Sequence, residues 1–229
     1  MTRRLAAVPA VPAVPVGAAL AAMLAWSAAV GCGCARPEVA DAGRAWRPLL
    51  DGRTLAGWKV SDFPGHGDVK VRDGRVVLGV GEFPLTGITW AGGDLPKSDY
   101  EIALEAMRIE GSDFFCGLTF PVGESHCSLI LGGWGGRVVG LSSLNWLDAA
   151  HNETMALRDF ERGRWYRVRL RVTGARIEAW IDDRLAVDCG IEGRQVSIRF
   201  EMDPCAPLGV AAYATKAAVR NVRVRPVPE

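Results

Sequence analysis

From Trp46 onward no window of about a dozen residues keeps a helical period, whereas apolar and polar positions alternate with period two along much of the chain. Val69-Lys70-Val71-Arg72 and Arg75-Val76-Val77-Leu78 flank Asp73-Gly74, a hairpin signal because glycine accepts the positive φ that tight two-residue turns require. Tyr100, Ile102, Leu104 and Ala106 alternate with Glu101, Ala103, Glu105 and Met107, which gives a strand with one apolar face and two acids on the other. The segment Trp165 to Asp182 predicts a second hairpin with Gly174-Ala175 in its loop. In that register Val172 faces Ile177, Leu170 faces Ala179 and Val168 faces Ile181 on one side. On the other side Arg171 meets Glu178, Arg169 meets Trp180 and Arg167 meets Asp182. A slip of one residue would spoil both faces. Local pairing accounts for this arginine row more cheaply than an acidic ligand does, each pair contributing a fraction of a kcal/mol to ~1 kcal/mol.

Further strands are expected at 114–120, 126–131, 137–142, 196–201, 208–214 and 218–225. Many short strands separated by Gly-rich turns, with no room for crossover helices, predict an all-β fold: two antiparallel sheets packed as a sandwich over residues 46–229.

The N-terminal pattern differs. After Arg3-Arg4 no charged side chain occurs between Leu5 and Ala35, and Gly17 to Val30 is densely apolar. That run has the length of a signal-peptide core and is shorter than the ~20 residues that span a bilayer. It ends Ala29-Val30-Gly31-Cys32, which resembles a bacterial lipobox. Residues 1–31 are therefore expected to be a lipoprotein-type signal peptide, with Cys32 carrying the lipid and anchoring the exported protein to the membrane; an uncleaved N-terminal anchor is the alternative. Residues 32–45, small and unpatterned, are expected to be a flexible tether.

Composition adds an exclusion. Aliphatic, aromatic and Cys residues are 49% of the chain and charged residues 23%, enough for a core. Lys plus Arg number 27 against 26 acids, and loss of Arg3 and Arg4 with the leader tips the balance by one toward acid. No nucleic-acid partner is expected, because nonspecific binding of such a polyanion wants a basic excess.

Beyond Cys32 and Cys34 of the N-terminal region lie Cys116, Cys127, Cys189 and Cys205. Export permits disulfides, and a 116–127 bridge and buried free thiols both remain open. No Cys-x-x-Cys spacing points to structural zinc, and His66, His126 and His151 form no ligand motif.

Among seven tryptophans after the leader, Trp134 in Gly132-Gly133-Trp134-Gly135-Gly136 and Trp146 after Asn145 sit in loop-like surroundings where an indole can stack on a sugar ring; a core position is the alternative for each. The following segment concentrates Asp148, His151, Asn152 and Glu153, groups able to bind hydroxyls or polarise a carbonyl. Glu101 and Glu105 on one strand face are about 13 Å apart at strand rise, outside the ~5–9.5 Å of glycosidase carboxylate pairs. Glu201-Met202-Asp203 is followed by no third acid, so a conventional glucanase row is missing.

The run Pro48-Leu49-Leu50-Asp51-Gly52-Arg53-Thr54-Leu55-Ala56-Gly57-Trp58 resembles the opening motif of the 3-keto-disaccharide hydrolase family. Ser98-Asp99-Tyr100-Glu101-Ile102, Gly163-Arg164-Trp165-Tyr166-Arg167-Val168 and Ala218-Val219-Arg220-Asn221-Val222-Arg223-Val224 resemble later motifs in the same order. The family's Asn-Ser-Gly strand and Glu-bearing strand have as counterparts Ser112 to Leu118 and Ser125 to Ile130, which differ from them. The resemblance implies a concanavalin A-like jelly roll acting on glycosides oxidised at C3. A C3 ketone acidifies the C2–H bond, so a base starts elimination of the glycosidic group and water completes a net hydrolysis. Such chemistry needs a base and an enolate stabiliser, a side-chain donor or a divalent metal. The expected base is Glu105 or Glu153, with His126 as alternative base or donor. Asp148, His151 and Asn152 are expected to contact hydroxyls or a metal, and Trp134 and Trp146 to stack on sugar. Convergence of Glu105, His126 and the 145–154 loop in one cleft would favour an enzyme. The alternative is a noncatalytic carbohydrate-binding module of the cell envelope.

Overall fold

The computed structural model describes residues 45–228; the expected signal peptide, the lipid-bearing Cys32 and nearly all of the expected tether lie outside them. In chain order the strands are β1 (Arg47–Pro48), β2 (Trp58–Val60), β3 (Val69–Arg72), β4 (Arg75–Leu78), β5 (Leu85–Trp90), β6 (Tyr100–Gly111), β7 (Cys116–Val122) and β8 (Ser125–Gly133). They continue as β9 (Val138–Ser142), β10 (Ala156–Leu157), β11 (Trp165–Val172), β12 (Arg176–Ile181), β13 (Arg184–Gly190), β14 (Gly209–Tyr213) and β15 (Thr215–Pro226). One sheet has the order β13-β12-β11-β6-β15-β4-β3, with β1 pairing β15; the other runs β10-β9-β8-β7-β14-β5-β2. Every pairing is antiparallel. The chain is an all-β jelly-roll sandwich.

The alternation read along the strands becomes the core. Ile102, Leu104, Val168, Leu170, Ile177 and Ala179 of the eight-stranded sheet pack in one cluster with Leu118, Phe120, Leu129, Leu131, Leu141 and Val210 of the seven-stranded sheet. The intervening residues of each strand therefore face outward, which fixes on which side of the molecule each candidate group lies. The hairpin at Asp73-Gly74 forms with both residues at positive φ, 51° and 75°. The β11–β12 hairpin has the expected register, Val168 opposite Ile181 and Val172 opposite Ile177. Arg169 covers the Trp180 ring at 3.7 Å.

Two details differ from expectation, and one open alternative is decided. The Asp182 carboxylate takes Arg158 and Arg164, while the Arg167 guanidinium pairs with Asp183, because Asp182 and Asp183 form the positive-φ turn into β13. Residues 196–201 are not a strand. Val196 makes a single bridge to Leu144, and the chain then coils into the 3₁₀ turn Phe200–Cys205, which carries the buried Met202 and Cys205 onto Phe63 and Ala211. A Cys116–Cys127 bridge is excluded by register, since Cys116 lies opposite Leu131 and Cys127 opposite Phe120. Cys116, Cys127, Cys189 and Cys205 are buried free thiols.

Candidate functional site

Both outer faces carry polar residues, but they differ in access. Across the seven-stranded sheet, Thr89, Gly209, Thr119, Ser128 and Ser142 are successive partners on β5, β14, β7, β8 and β9, a row of hydroxyls at right angles to the strands. Thr119 and Ser128 bond to each other at 2.8 Å, Thr89 donates to the Pro204 carbonyl at 2.6 Å, and the buried Ser142 hydroxyl has no partner. The centre of this face is closed. Met202, Cys205 and Phe63 cover one part, and Ile130, Val138 and Ala149 with the half-buried Phe114 fill another. Its accessible polar surface lies at one end, where the β7–β8 turn, the loop after β9 and the Phe200–Cys205 segment meet.

The loop after β9 is built by its own backbone bonds. Asn145 and Trp146 adopt positive φ, and Leu144 and Leu147 close a tight turn through reciprocal N–H to carbonyl bonds of 3.0 and 2.9 Å. This turn leaves the Trp146 side of the loop in solvent, 77% exposed. Asn152 holds the loop from beneath. Its amide nitrogen lies 2.7–3.1 Å from the carbonyls of Leu141, Leu147 and Asp148, and its amide oxygen accepts from the Thr154 N–H and hydroxyl. Buried and fully engaged, Asn152 shapes the loop and has no group left for a substrate, which corrects its expected role.

Asp148 is the pivot above it. One carboxylate oxygen lies 2.7 Å from His151 Nδ1 and accepts the Ala150 N–H at 3.0 Å; the other accepts from Arg199 Nη1 at 3.2 Å. Arg199 in turn bonds Glu201 at 2.7 Å. The Asp148 carboxylate orients the His151 ring through Nδ1 and leaves Nε2 as the ring nitrogen turned away from it. Arg199 had no motif to mark it in the sequence. It reaches Asp148 only because the 143–145 and 195–197 segments run side by side, with Ser143 and Ser197 exchanging backbone bonds of 2.6 and 3.1 Å.

His126 on β8 faces outward at this same end, half-buried, and the Ser125 hydroxyl beside it donates to the Val196 carbonyl at 2.8 Å. Burial foremost, and then the Lys97 ammonium, push its imidazole below the ordinary value, against the opposing pull of Asp203. It is therefore neutral at neutral pH.

The other candidates lie elsewhere. Glu105 projects from the outer face of the eight-stranded sheet, on the opposite side of the sandwich from His126, so the two do not share a cleft. Its carboxylate accepts from Arg220 at 2.6 and 2.9 Å and from Asn221 at 2.7 Å. Burial raises its pKa, but the Arg220 and Asn221 hydrogen bonds outweigh burial and hold it below the usual range, which makes it a weak base. Glu153 is ion-paired with Arg194. Trp134 is 43% exposed in the β8–β9 turn, at the other end of β9 from Trp146, so the two indoles do not form one platform. Among the described residues no group of three or more His, Cys, Asp or Glu is placed to hold a metal ion, so they do not fit a divalent-metal site.

Three solved structures share the fold. The chain superposes on the Crh5 transglycosylase in complex with NAG with a TM-score of 0.57 and 11% identity, over 81% of this chain and 86% of that one. The carbohydrate-binding module CBM66 from Bacillus subtilis gives 0.51 and 13%, over 74% and 95%. The carbohydrate recognition domain of Emp46p in its metal-free form gives 0.51 and 15%, over 81% and 100%. No curated protein matches the sequence. The two-sheet architecture is thus concanavalin A-like. Residues 45–225 match the 3-keto-alpha-glucoside-1,2-lyase-like domain, and the chain belongs to that family.

Proposed function

We propose that the protein cleaves glycosides oxidised at C3 at the end of the seven-stranded sheet, with His151 as the base. The observation that carries this reading is the 2.7 Å contact from His151 to a carboxylate itself held by Arg199, beside the exposed Trp146. Trp146 stacks on the C–H face of the sugar. His151 Nε2 takes the C2 proton, and the electron pair moves onto the C3 oxygen as an enolate. Arg199 is the nearby cation that stabilises this charge. Collapse of the enolate expels the aglycone from C1, which takes up a proton, and water then adds to C1 while C2 is reprotonated. Family membership supports the substrate class.

Incubation with a 3-keto-glycoside and its unoxidised parent, with and without chelator, tests the proposal. The expected result is release of free sugar from the keto substrate alone, unaffected by chelator. His151→Gln is expected to lower kcat by about 10²-fold or more, the usual size of a general-base contribution.

A second reading, a noncatalytic carbohydrate-binding module, is favoured by the closed centre of the same face, where Thr119, Ser128 and Ser142 are shut off from solvent. The carbohydrate-binding module CBM66 shares the fold. Saturable glycan binding without turnover of either substrate selects this reading.

Export with a lipid on Cys32 belongs to the same proposal, since it would place the domain at the cell envelope. Mass spectrometry of the mature N-terminus is expected to show a lipid-modified Cys32, and Cys32→Ser to abolish membrane association.

A further inference from the structure

The outer face of the eight-stranded sheet carries a line of charged side chains. Asp188, Glu178, Arg171, Glu101 and Arg225 are successive partners across β13, β12, β11, β6 and β15, with two acids at the β13 end. Glu101, between Arg171 and Arg225, is 0% exposed, yet three guanidinium groups share its carboxylate. Arg171 binds it through Nε and Nη2, both at 2.9 Å, and Arg225 through Nε at 2.8 Å and Nη2 at 2.5 Å. Two residues along β12, Arg176 grips Asp188 in the same way, through Nε at 2.7 Å and Nη2 at 2.5 Å. Each of these arginines therefore spends one edge of its fork on a protein carboxylate and keeps Nη1 free of a short bond. The nearest acceptor to Arg171 Nη1 is Glu178 at 3.7 Å, too far for a hydrogen bond.

These three arginines line a single open cleft of 420 Å³ with Thr173, Glu178 and the Pro226–Pro228 end of the chain. That volume lies in the ~300–1,000 Å³ range of small-molecule sites, larger than a lone ion needs. Guanidinium forks fixed by buried or paired carboxylates are preorganised donors, and a planar carboxylate matches them. The proline-lined wall offers an apolar surface to a sugar ring. We infer that this cleft binds a saccharide bearing a carboxylate, independently of the loop site on the opposite face.

The test is a titration of the purified protein with glucuronate, glucose and inorganic sulfate, read from the indole N–H signals in a ¹⁵N–¹H correlation spectrum. Arg171 lies 5.5 Å from the Trp180 ring and Arg225 4.5 Å from the Trp46 ring. Glucuronate is expected to shift Trp180 and Trp46 saturably while Trp146 stays still, to bind at least tenfold more tightly than glucose or sulfate, and to weaken as salt is added. Arg176→Gln is expected to weaken it about tenfold. Glu178→Gln, which removes the one acid that lines the cleft among the described residues, is expected to tighten it several-fold, a gain that misfolding cannot imitate. Equal binding of glucose and glucuronate, equal binding of sulfate, or no tightening in Glu178→Gln would overturn the inference. Shifts confined to Trp146 would likewise overturn it, while leaving the loop site standing.

Discussion

At the scale of single residues, Asn152 and His151 look alike in the sequence, two polar side chains in one loop, and the fold gives them opposite uses. Asn152 is consumed by three carbonyls and Thr154, whereas His151 makes one carboxylate contact and faces solvent. Asn152→Ala is expected to cost about 4–5 kcal/mol, at ~1 kcal/mol for each of five lost bonds, measured as a lower midpoint in denaturant. Trp146→Ala is expected to leave stability unchanged and raise KM about 5–10-fold, a loss of ~1–1.4 kcal/mol of substrate stacking. The thiols give a separate test. Burial pushes Cys116, Cys127 and Cys205 up to about 12, so they stay protonated and closed off. An aromatic disulfide reagent at pH 8 is expected to leave these three thiols unmodified in the native protein and to react with them only after unfolding.

At the scale of elements, the strands were legible wherever one face was apolar and the other polar. Leu170 and Arg171, or Ile177 and Glu178, announce both the strand and its register. The failures share a cause. Gln195 to Phe200 alternates like a strand, yet Met202 and Cys205 are drawn down onto Phe63 and Ala211, and that packing bends the chain into a 3₁₀ turn. Glu105 was visible as an outward-facing acid, but its ownership by Arg220 and Asn221, 115 and 116 residues away, depends on β15 lying beside β6. Glu101 is the most consequential case. Burial raises its pKa, and the hydrogen bonds from Arg225, Arg171 and Arg169 outweigh burial and hold it below the ordinary carboxylate value. A carboxyl depressed in the folded state stabilises the fold above its unfolded pKa, and that contribution is lost as pH falls through the folded value. Glu101→Gln is expected to cost about 2–3 kcal/mol, less than the ~3–5 kcal/mol of a fully buried pair because its arginine partners can hydrate. The variant is also expected to lose less stability than the parent between pH 5 and pH 3.

At the scale of the whole molecule, the sandwich separates two chemistries. One outer face is shut at its centre and open at the Trp146–His151 end; the other carries arginines braced by Glu101 and Glu105. His126 adds a pH signature to the first. Its depressed pKa means that the neutral imidazole suits the fold, so its stabilising effect is present above about pH 6.5 and is lost as pH falls through the folded value. Thermal midpoints are expected to drop from pH 7 to pH 5, and His126→Gln to reduce that drop. Family motifs at both ends of the domain made the architecture readable, because they encode strand pairs and turns. The base was harder to read, because it rests on Arg199 and Asp148 meeting across fifty-one residues of sequence.

The central claim is base-initiated elimination at the loop site, and proton NMR of a 3-keto-glucoside in D₂O with the protein present tests it most directly. Free aglycone is expected to appear together with deuterium at C2 of the released keto sugar, beyond the exchange in a protein-free control, and His151→Gln to slow both by about 10²-fold or more. Release of aglycone with the C2 proton retained, or equal cleavage of the unoxidised parent, would contradict it.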